Sequence, residues 1–199
     1  MNNDSIFRIL LAVILFTGVG ISITYRRKAD KESGEKVSTK DEGKQLFLAL
    51  RLGGLVLWLS PIAYVVNPAW MVWSKIGLAD SMRWTGVGLG VICVGLISWL
   101  FSSIGAGITP TVATRTEHKL VKHGPYRWVR HPLYTIGTSF IISLGLMADN
   151  WFILAAAVIA FLLLVKRTPN EEAHLIEKFG DEYRNYMKTT GAFLPNLLG

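Results

Sequence analysis

Side chains able to do chemistry are concentrated in two stretches of this 199-residue chain. The first, HKLVKHGPYRWVRHPLY from His118 to Tyr134, mixes histidine, arginine, lysine and aromatic residues just ahead of an apolar run. Solvation alone gathers such residues at headgroup level in a membrane, so an aromatic and basic belt is the simplest explanation of the stretch. His131-Pro132 adds something a belt does not need. Proline restricts the residue before it and suits the first helical turn, so a helix is expected to begin at Pro132. Its free N–H groups and dipole would face the loop and favour an anion. The second stretch, KRTPNEEAHLIEKFGDEYRNYM from Lys166 to Met187, sets Arg167, Glu171 and Glu172 at the mouth of another apolar run, where desolvation makes an unpaired charge costly. Thr168, Pro169 and Glu171 also spell a capping box, which would explain Glu171 by capping alone. Beyond them Leu175, Ile176, Phe179, Tyr183, Tyr186 and Met187 form one face at helical spacing, as expected of a helix lying against the membrane or packed on the loop.

Other chemistries fare poorly. The four histidines, His118, His123, His131 and His174, are too few for a membrane di-metal oxygenase, and no H-E-x-x-H occurs. Glu171-x-x-His174 is half of a di-iron carboxylate pattern whose second copy is missing, so no metal is expected. Gly86-Val87-Gly88-Leu89-Gly90 imitates a nucleotide-binding turn, but it lies inside an apolar run with no acidic residue between Asp80 and Glu117. A Rossmann domain is therefore not expected, and Gly86 and Gly90 instead suit two helices approaching closely within a membrane. The single cysteine, Cys93, can close neither an internal disulfide nor a four-thiolate metal site.

The elements that must carry these residues are apolar and long. Hydrophobic residues make up 51% of the chain and charged residues 18%, a balance leaning towards membrane. A helix needs roughly 20 apolar residues to cross a hydrocarbon core of about 30 Å. Ile6–Tyr25, Leu46–Val66 and Trp84–Ala106 each qualify, with at most one charge apiece. A fourth apolar stretch, Tyr134 to Val165, is interrupted by the turn-forming Ala148-Asp149-Asn150 and reads as a helical hairpin. Each arm rises only about 21 to 23 Å, so both helices must extend further or the turn must lie below the surface. No cleavable signal is expected, because Asp4 precedes the first run and no small-x-small site follows it.

Five spans put segment 26–45, segment 107–133 and the tail from Lys166 on one side. Those segments hold 7, 5 and 5 Lys or Arg residues, against 2 in segment 67–83 and none in the hairpin turn. This is the positive-inside pattern, and it places the motif-bearing segments in the cytoplasm. The net charge of +7 is thereby explained without a nucleic-acid partner. Segment 26–45 alternates both signs without an aromatic residue and reads as a solvated linker. Neither a solenoid repeat nor the paired broken helices of a transporter is evident.

Read together, H-x-L-V at 118–121, Gly124, Tyr126, R-H-P-x-Y at 130–134, R-x-P-x-E-E at 167–172 and F-G-x-E-Y at 179–183 resemble the isoprenylcysteine carboxyl methyltransferase family of integral membrane enzymes. The resemblance covers about the C-terminal 85 residues, and related phospholipid methyltransferases share the R-H-P-x-Y and E-E elements. It implies an all-α, multi-pass helical membrane enzyme whose donor is S-adenosylmethionine, held outside any Rossmann domain. By resemblance the donor is contacted by His118, Lys119, Leu120, Val121, Tyr126, His131, Pro132, Leu133 and Tyr134. Glu171 would hold its amino group, and Arg167 would orient an acceptor carboxylate. Where family members carry an upstream glutamine this chain has Thr111, so that contact is not carried over.

The resulting expectation has residues 1–106 as three membrane helices and 107–199 as a catalytic region with a transmembrane hairpin at 132–167 and an interfacial C-terminal helix. Arg167 and Glu171 are its expected catalytic residues. Its partners would be a lipophilic, prenylated acceptor and membrane lipid. A carboxylate acceptor is already ionised near neutral pH, whereas a lipid amine would first have to lose a proton, so sparse acid–base equipment favours the carboxylate. Methylation of a phospholipid amine or small thiol is the enzymatic alternative, and a membrane scaffold or lipid-binding protein the non-enzymatic one.

Overall fold

Six α-helices carry the chain in its computed structural model, which describes residues 3–33, 44–104 and 120–196. They are α1 (Asn3–Ser33), α2 (Lys44–Val66), α3 (Asp80–Ile104), α4 (Pro132–Met147), α5 (Trp151–Phe179) and α6 (Asp181–Thr189), with 3₁₀ turns at Pro68–Ser74 and Gly124–Arg127. Four of them, α1, α2, α3 and α5, are long and apolar enough to cross a membrane. The fifth apolar helix, α4, has only 16 residues, or about 24 Å of rise.

α4 can be short because it is the centre of the bundle. It packs against α1, α2, α3 and α5, and buries Ile136, Phe140, Ile141, Leu144 and Met147. A helix so enclosed meets protein rather than lipid and need not match the bilayer thickness. The outward faces behave oppositely. Val13 and Phe16 of α1, Leu55 and Leu59 of α2, Val91 and Ile92 of α3, and Val158, Ile159 and Leu162 of α5 are exposed, an arrangement that suits hydrocarbon and not water.

The close approach expected of Gly86 and Gly90 is realised. A Cβ on Gly86 would stand 2.8 Å from Leu146 Cβ and 3.0 Å from Ser143 O, and one on Gly90 would stand 3.1 Å from Ser143 Oγ. Glycine thus lets α3 and α4 touch backbone to backbone, the usual membrane solution where apolar transfer supplies no drive for association.

The hairpin is completed on one arm by extension, since α5 runs on to Phe179, and its turn is covered by protein. Met147, Ala148, Asp149 and Asn150 are all buried beneath segment 68–78. The Asp149 carboxylate accepts the N–H groups of Gly77 (3.0 Å) and Leu78 (2.7 Å), and Asn150 donates to Ser74 Oγ (2.6 Å) while capping α5 at Ile153 N. Arg83, buried in α3, donates to Met147 O at the end of α4 and to Asp4 Oδ1 (2.6 Å), with its guanidinium 4.0 Å from the Phe7 ring centre. These four polar side chains close this end of the bundle.

Three sequence expectations are corrected. The basic segment after the first run begins as helix, since α1 continues past Tyr25 to Ser33. No helix starts at Pro169 either: α5 runs unbroken from Trp151 to Phe179 with Pro169 inside it, and the Thr168 hydroxyl donates backwards to Leu164 O (2.9 Å) instead of capping. The hydroxyl is thereby turned back into the helix and caps no N–H, so the capping box is absent; the carbonyl that Pro169 leaves without its usual donor is the next one, Val165 O. The apolar face from Leu175 to Met187 is likewise split between α5 and α6 at Gly180, whose φ is 56°.

Candidate active site

The chain's chemistry-bearing residues meet where the start of α4, the late turns of α5, and α6 converge. As expected, α4 begins at Pro132, with His131 as its N-cap residue. Both His131 and Pro132 are buried. The anion expected at this helix start comes from the chain itself: Glu171 and Glu172 of α5 stand there, at the positive end of the α4 dipole.

Glu172 is the more committed of the two. Its Oε1 accepts from Arg130 Nε (2.8 Å) and from His131 Nε2 (3.1 Å). An ionised carboxylate can only accept, so Nε2 carries the proton in this pair, which leaves Nδ1 facing Glu171 Oε2 at 3.8 Å. Glu171 accepts from the Tyr134 hydroxyl at 2.5 Å, and its side chain is 22% exposed. The His131 and Tyr134 rings lie nearly parallel, 17° apart, with centres separated by 5.3 Å. Arg167 lies one turn before Glu171 on the same continuous helix and is only 8% exposed.

Beside this cluster, the Gly124–Arg127 turn is tied to α6 by the Tyr186 hydroxyl, which donates to Tyr126 O (2.5 Å), and by the Lys122–Glu182 ion pair (2.7 Å). Burial pushes the Tyr186 hydroxyl pKa up to about 12. It raises those of Tyr126 and Tyr183 as well, with the charge of Glu171 adding to the rise at Tyr126. The Tyr183 hydroxyl is buried with no hydrogen-bond partner among the described residues. An open groove of about 500 Å³ runs along this face between Lys122, Arg127, Glu182 and Thr189.

The structure therefore brings together His131, Pro132, Tyr134 and Glu171, with Tyr126 near the Glu171 charge. Leu133 packs against the hydrophobic core of the bundle, as does Tyr126. Leu120 and Val121 are half-buried at the start of the segment leading to the 3₁₀ turn, while His118 and Lys119 lie outside the described residues, as does Thr111. No group of three metal-ligating side chains occurs among the described residues. Sequence reasoning gave Arg130 no role although it stood in a motif, and noted Glu172 only as a charge at the mouth of a span. It also missed the segment after α6, whose Phe193 ring packs on His131 and Tyr134.

Fold and site together define a multi-pass helical membrane protein with a charged and aromatic site at one end of its bundle. Residues 81–182 match the phospholipid methyltransferase family, and the chain belongs to it. It is 32% identical over 165 residues to the protein-S-isoprenylcysteine O-methyltransferase of Schizosaccharomyces pombe, covering 78% of this chain and 69% of that one. The nickel-cobalt-cadmium resistance protein NccN of Alcaligenes xylosoxydans xylosoxydans is 29% identical over 57% of this chain. The methanethiol S-methyltransferase of Pseudomonas deceptionensis is 31% identical over 64% of it. The chain spans about half the length of these last two, 54% and 50%. A structure of the eukaryotic intramembrane Ras methyltransferase ICMT has the same fold, with a TM-score of 0.56 at 17% identity over 98% of this chain and 76% of that one.

Proposed function

We propose that the chain is an S-adenosylmethionine-dependent methyltransferase acting on a lipophilic acceptor at the cytoplasmic membrane interface, the acceptor being the C-terminal carboxylate of an isoprenylated cysteine. The observation that carries this reading is the convergence of His131, Tyr134 and Glu171 at one end of the bundle, in a chain of this family. Residues 107–199 are then the catalytic region and residues 1–106 its membrane scaffold.

The residues present fit the donor. Glu171 offers a partly exposed carboxylate with acceptor capacity beyond its Tyr134 bond, suited to an ammonium group, whereas Glu172 is engaged by Arg130 and His131. The half-buried Tyr134 ring, backed by the buried His131 ring, offers an aromatic face to a purine. When bound, S-adenosylmethionine supplies a methyl group on a sulfonium for in-line displacement. The protein's part is to align the acceptor and exclude water. Arg167 can grip an acceptor carboxylate through two parallel N–H bonds, and its burial strengthens that attraction. No general base need act on an acceptor already ionised.

Similarity to an S-methyltransferase keeps a small thiol as the second reading. Incubating membranes that contain the protein with radiolabelled donor and a panel of prenylcysteine, phosphatidylethanolamine and short thiols separates the readings. Label is expected in a base-labile ester of prenylcysteine. Label confined to the amine or the thiol overturns the carboxylate assignment, and no transfer together with no donor binding overturns the enzymatic one.

A further inference from the structure

The segment after α6 carries no sequence motif, yet it is bonded into the site. Arg130 N donates to Gly191 O (2.8 Å) and His131 N to Ala192 O (2.9 Å), completing a short parallel pairing that starts at Val129 and Gly191. The Thr135 hydroxyl donates to Phe193 O (2.9 Å), and the Arg130 guanidinium donates to Thr190 O and to Met187 O (3.3 Å). Gly191 is required for this path, because a methyl group there would collide with the carbonyl oxygen of Leu194.

The pairing fixes the Phe193 ring between two environments. On one side it lies against His131 (5.7 Å between ring centres) and Tyr134 (6.4 Å, 22° apart). On the other it meets the edge of Phe161 in α5 (5.4 Å, 70°). Phe161 precedes Glu171 by ten residues in the same helix, about 15 Å along its axis towards the apolar part of the span. One aromatic side chain thus joins the charged cluster to the membrane-embedded stretch of α5. An amphiphile whose reacting head sits at Arg167 needs such a path for its hydrocarbon chain.

We propose that Phe193 is a specificity-determining residue which, with Phe161, receives the hydrocarbon chain of the acceptor. This rests on the reading of the site as that of a methyltransferase for lipophilic acceptors. A ring that merely plugged the end of the bundle would affect stability but would not distinguish one acceptor from another. A ring that touches the chain does distinguish them, because each buried methylene adds to binding.

The test uses the full chain in lipid nanodiscs with cysteine thioethers whose alkyl or isoprenoid chain is graded in length, measuring acceptor KM, kcat and donor affinity separately. Phe193→Ala should raise KM for the longest acceptor about 10- to 100-fold, leave the shortest nearly unchanged and spare donor affinity. Phe193→Leu should restore part of the loss, and Leu194→Ala, at a neighbouring residue 74% exposed, should change nothing. If Phe193→Ala does not fold, Phe193→Leu still reports on chain-length preference. An equal effect at every chain length, or a parallel loss of donor affinity, overturns the proposal. A wild type that transfers methyl without regard to chain length overturns it too, while sparing the methyltransferase reading. A wild type that binds no donor and methylates nothing overturns that underlying reading instead.

Discussion

Two neighbouring glutamates on one helix have different partners, and their partners separate their roles. Glu172 holds Arg130 and His131, all three largely withdrawn from water. Removing its charge leaves a buried guanidinium uncompensated, a change that typically costs about 3 to 5 kcal/mol. Glu171 carries instead the Tyr134 hydroxyl and a more exposed carboxylate, and with α5 continuous it caps nothing. Glu172→Gln should therefore lower the thermal midpoint in detergent substantially. Glu171→Gln should melt near wild type yet weaken donor binding by roughly 10- to 100-fold, as expected for a lost hydrogen bond to a charged group. Calorimetric titration with the donor and a melting curve on the same samples decide it; equal donor affinity in Glu171→Gln would remove that residue from the site. Arg167 lies one turn away on the same face. Arg167→Lys keeps the charge but loses the bidentate fork, so acceptor KM should rise with donor affinity unchanged. Unaltered kinetics with a carboxylate acceptor would reduce Arg167 to a residue marking the end of a span. Both glutamates and Arg167 were visible in the sequence, because charge at the mouth of an apolar run is conspicuous. Which glutamate was already engaged depended on Arg130 and His131, some forty residues away, and on a fold that brings them together.

At the scale of elements, the apolar runs were legible because spanning length is a local property, and so was the turn at Ala148-Asp149-Asn150. The glycine contact was legible too, and it makes a prediction with opposite signs at neighbouring positions. A Cβ at Gly86 meets α4, whereas at Gly88 nothing lies within 4 Å. Gly88→Ala should stabilise α3 by about 0.5 to 1 kcal/mol through helix propensity, while Gly86→Ala should destabilise by about 1 to 3 kcal/mol through overpacking. Unfolding in mixed micelles measures both, and equal shifts would mean that α3 and α4 do not meet at Gly86. Less was legible after residue 166. Thr168-Pro169 satisfies a helix start and a helix interior equally well in local terms, and the apolar packing of α5 on α2 and α4 chose the interior. The segment from Gly191 to Phe193 was opaque for a different reason. It has no periodicity of its own, and its pairing with Val129 to His131 joins positions some sixty residues apart.

The whole molecule has two unlike ends. One gathers Arg83, Asp4, Asp149 and Asn150 into bonds that close the bundle over the buried hairpin turn, with exposed Trp70, Val72 and Trp73 around them. The other gathers the motif residues, with Lys122 of the loop paired to Glu182 of α6. Positive charge follows the same division, since the segments joined to the site end carry most of the lysines and arginines. Orientation in the membrane is thus tied to the site: if the basic segments face the cytoplasm, the donor and the acceptor head must enter from there. Single cysteines placed at Lys122, Lys188 and Lys75 in a Cys93→Ala background test this in intact cells and in inverted vesicles. Cys93 is buried, and the Lys122 ion pair is exposed enough that losing it costs about 1 kcal/mol or less. Lys122→Cys and Lys188→Cys should react with a membrane-impermeant thiol reagent only in inverted vesicles, whereas Lys75→Cys, beside the hairpin turn, should react only in intact cells. Opposite sidedness of the first two would break the shared site. All three reacting from one side would mean that α4 and α5 do not form a membrane-crossing hairpin, and the five-helix bundle would then have to sit in the membrane some other way.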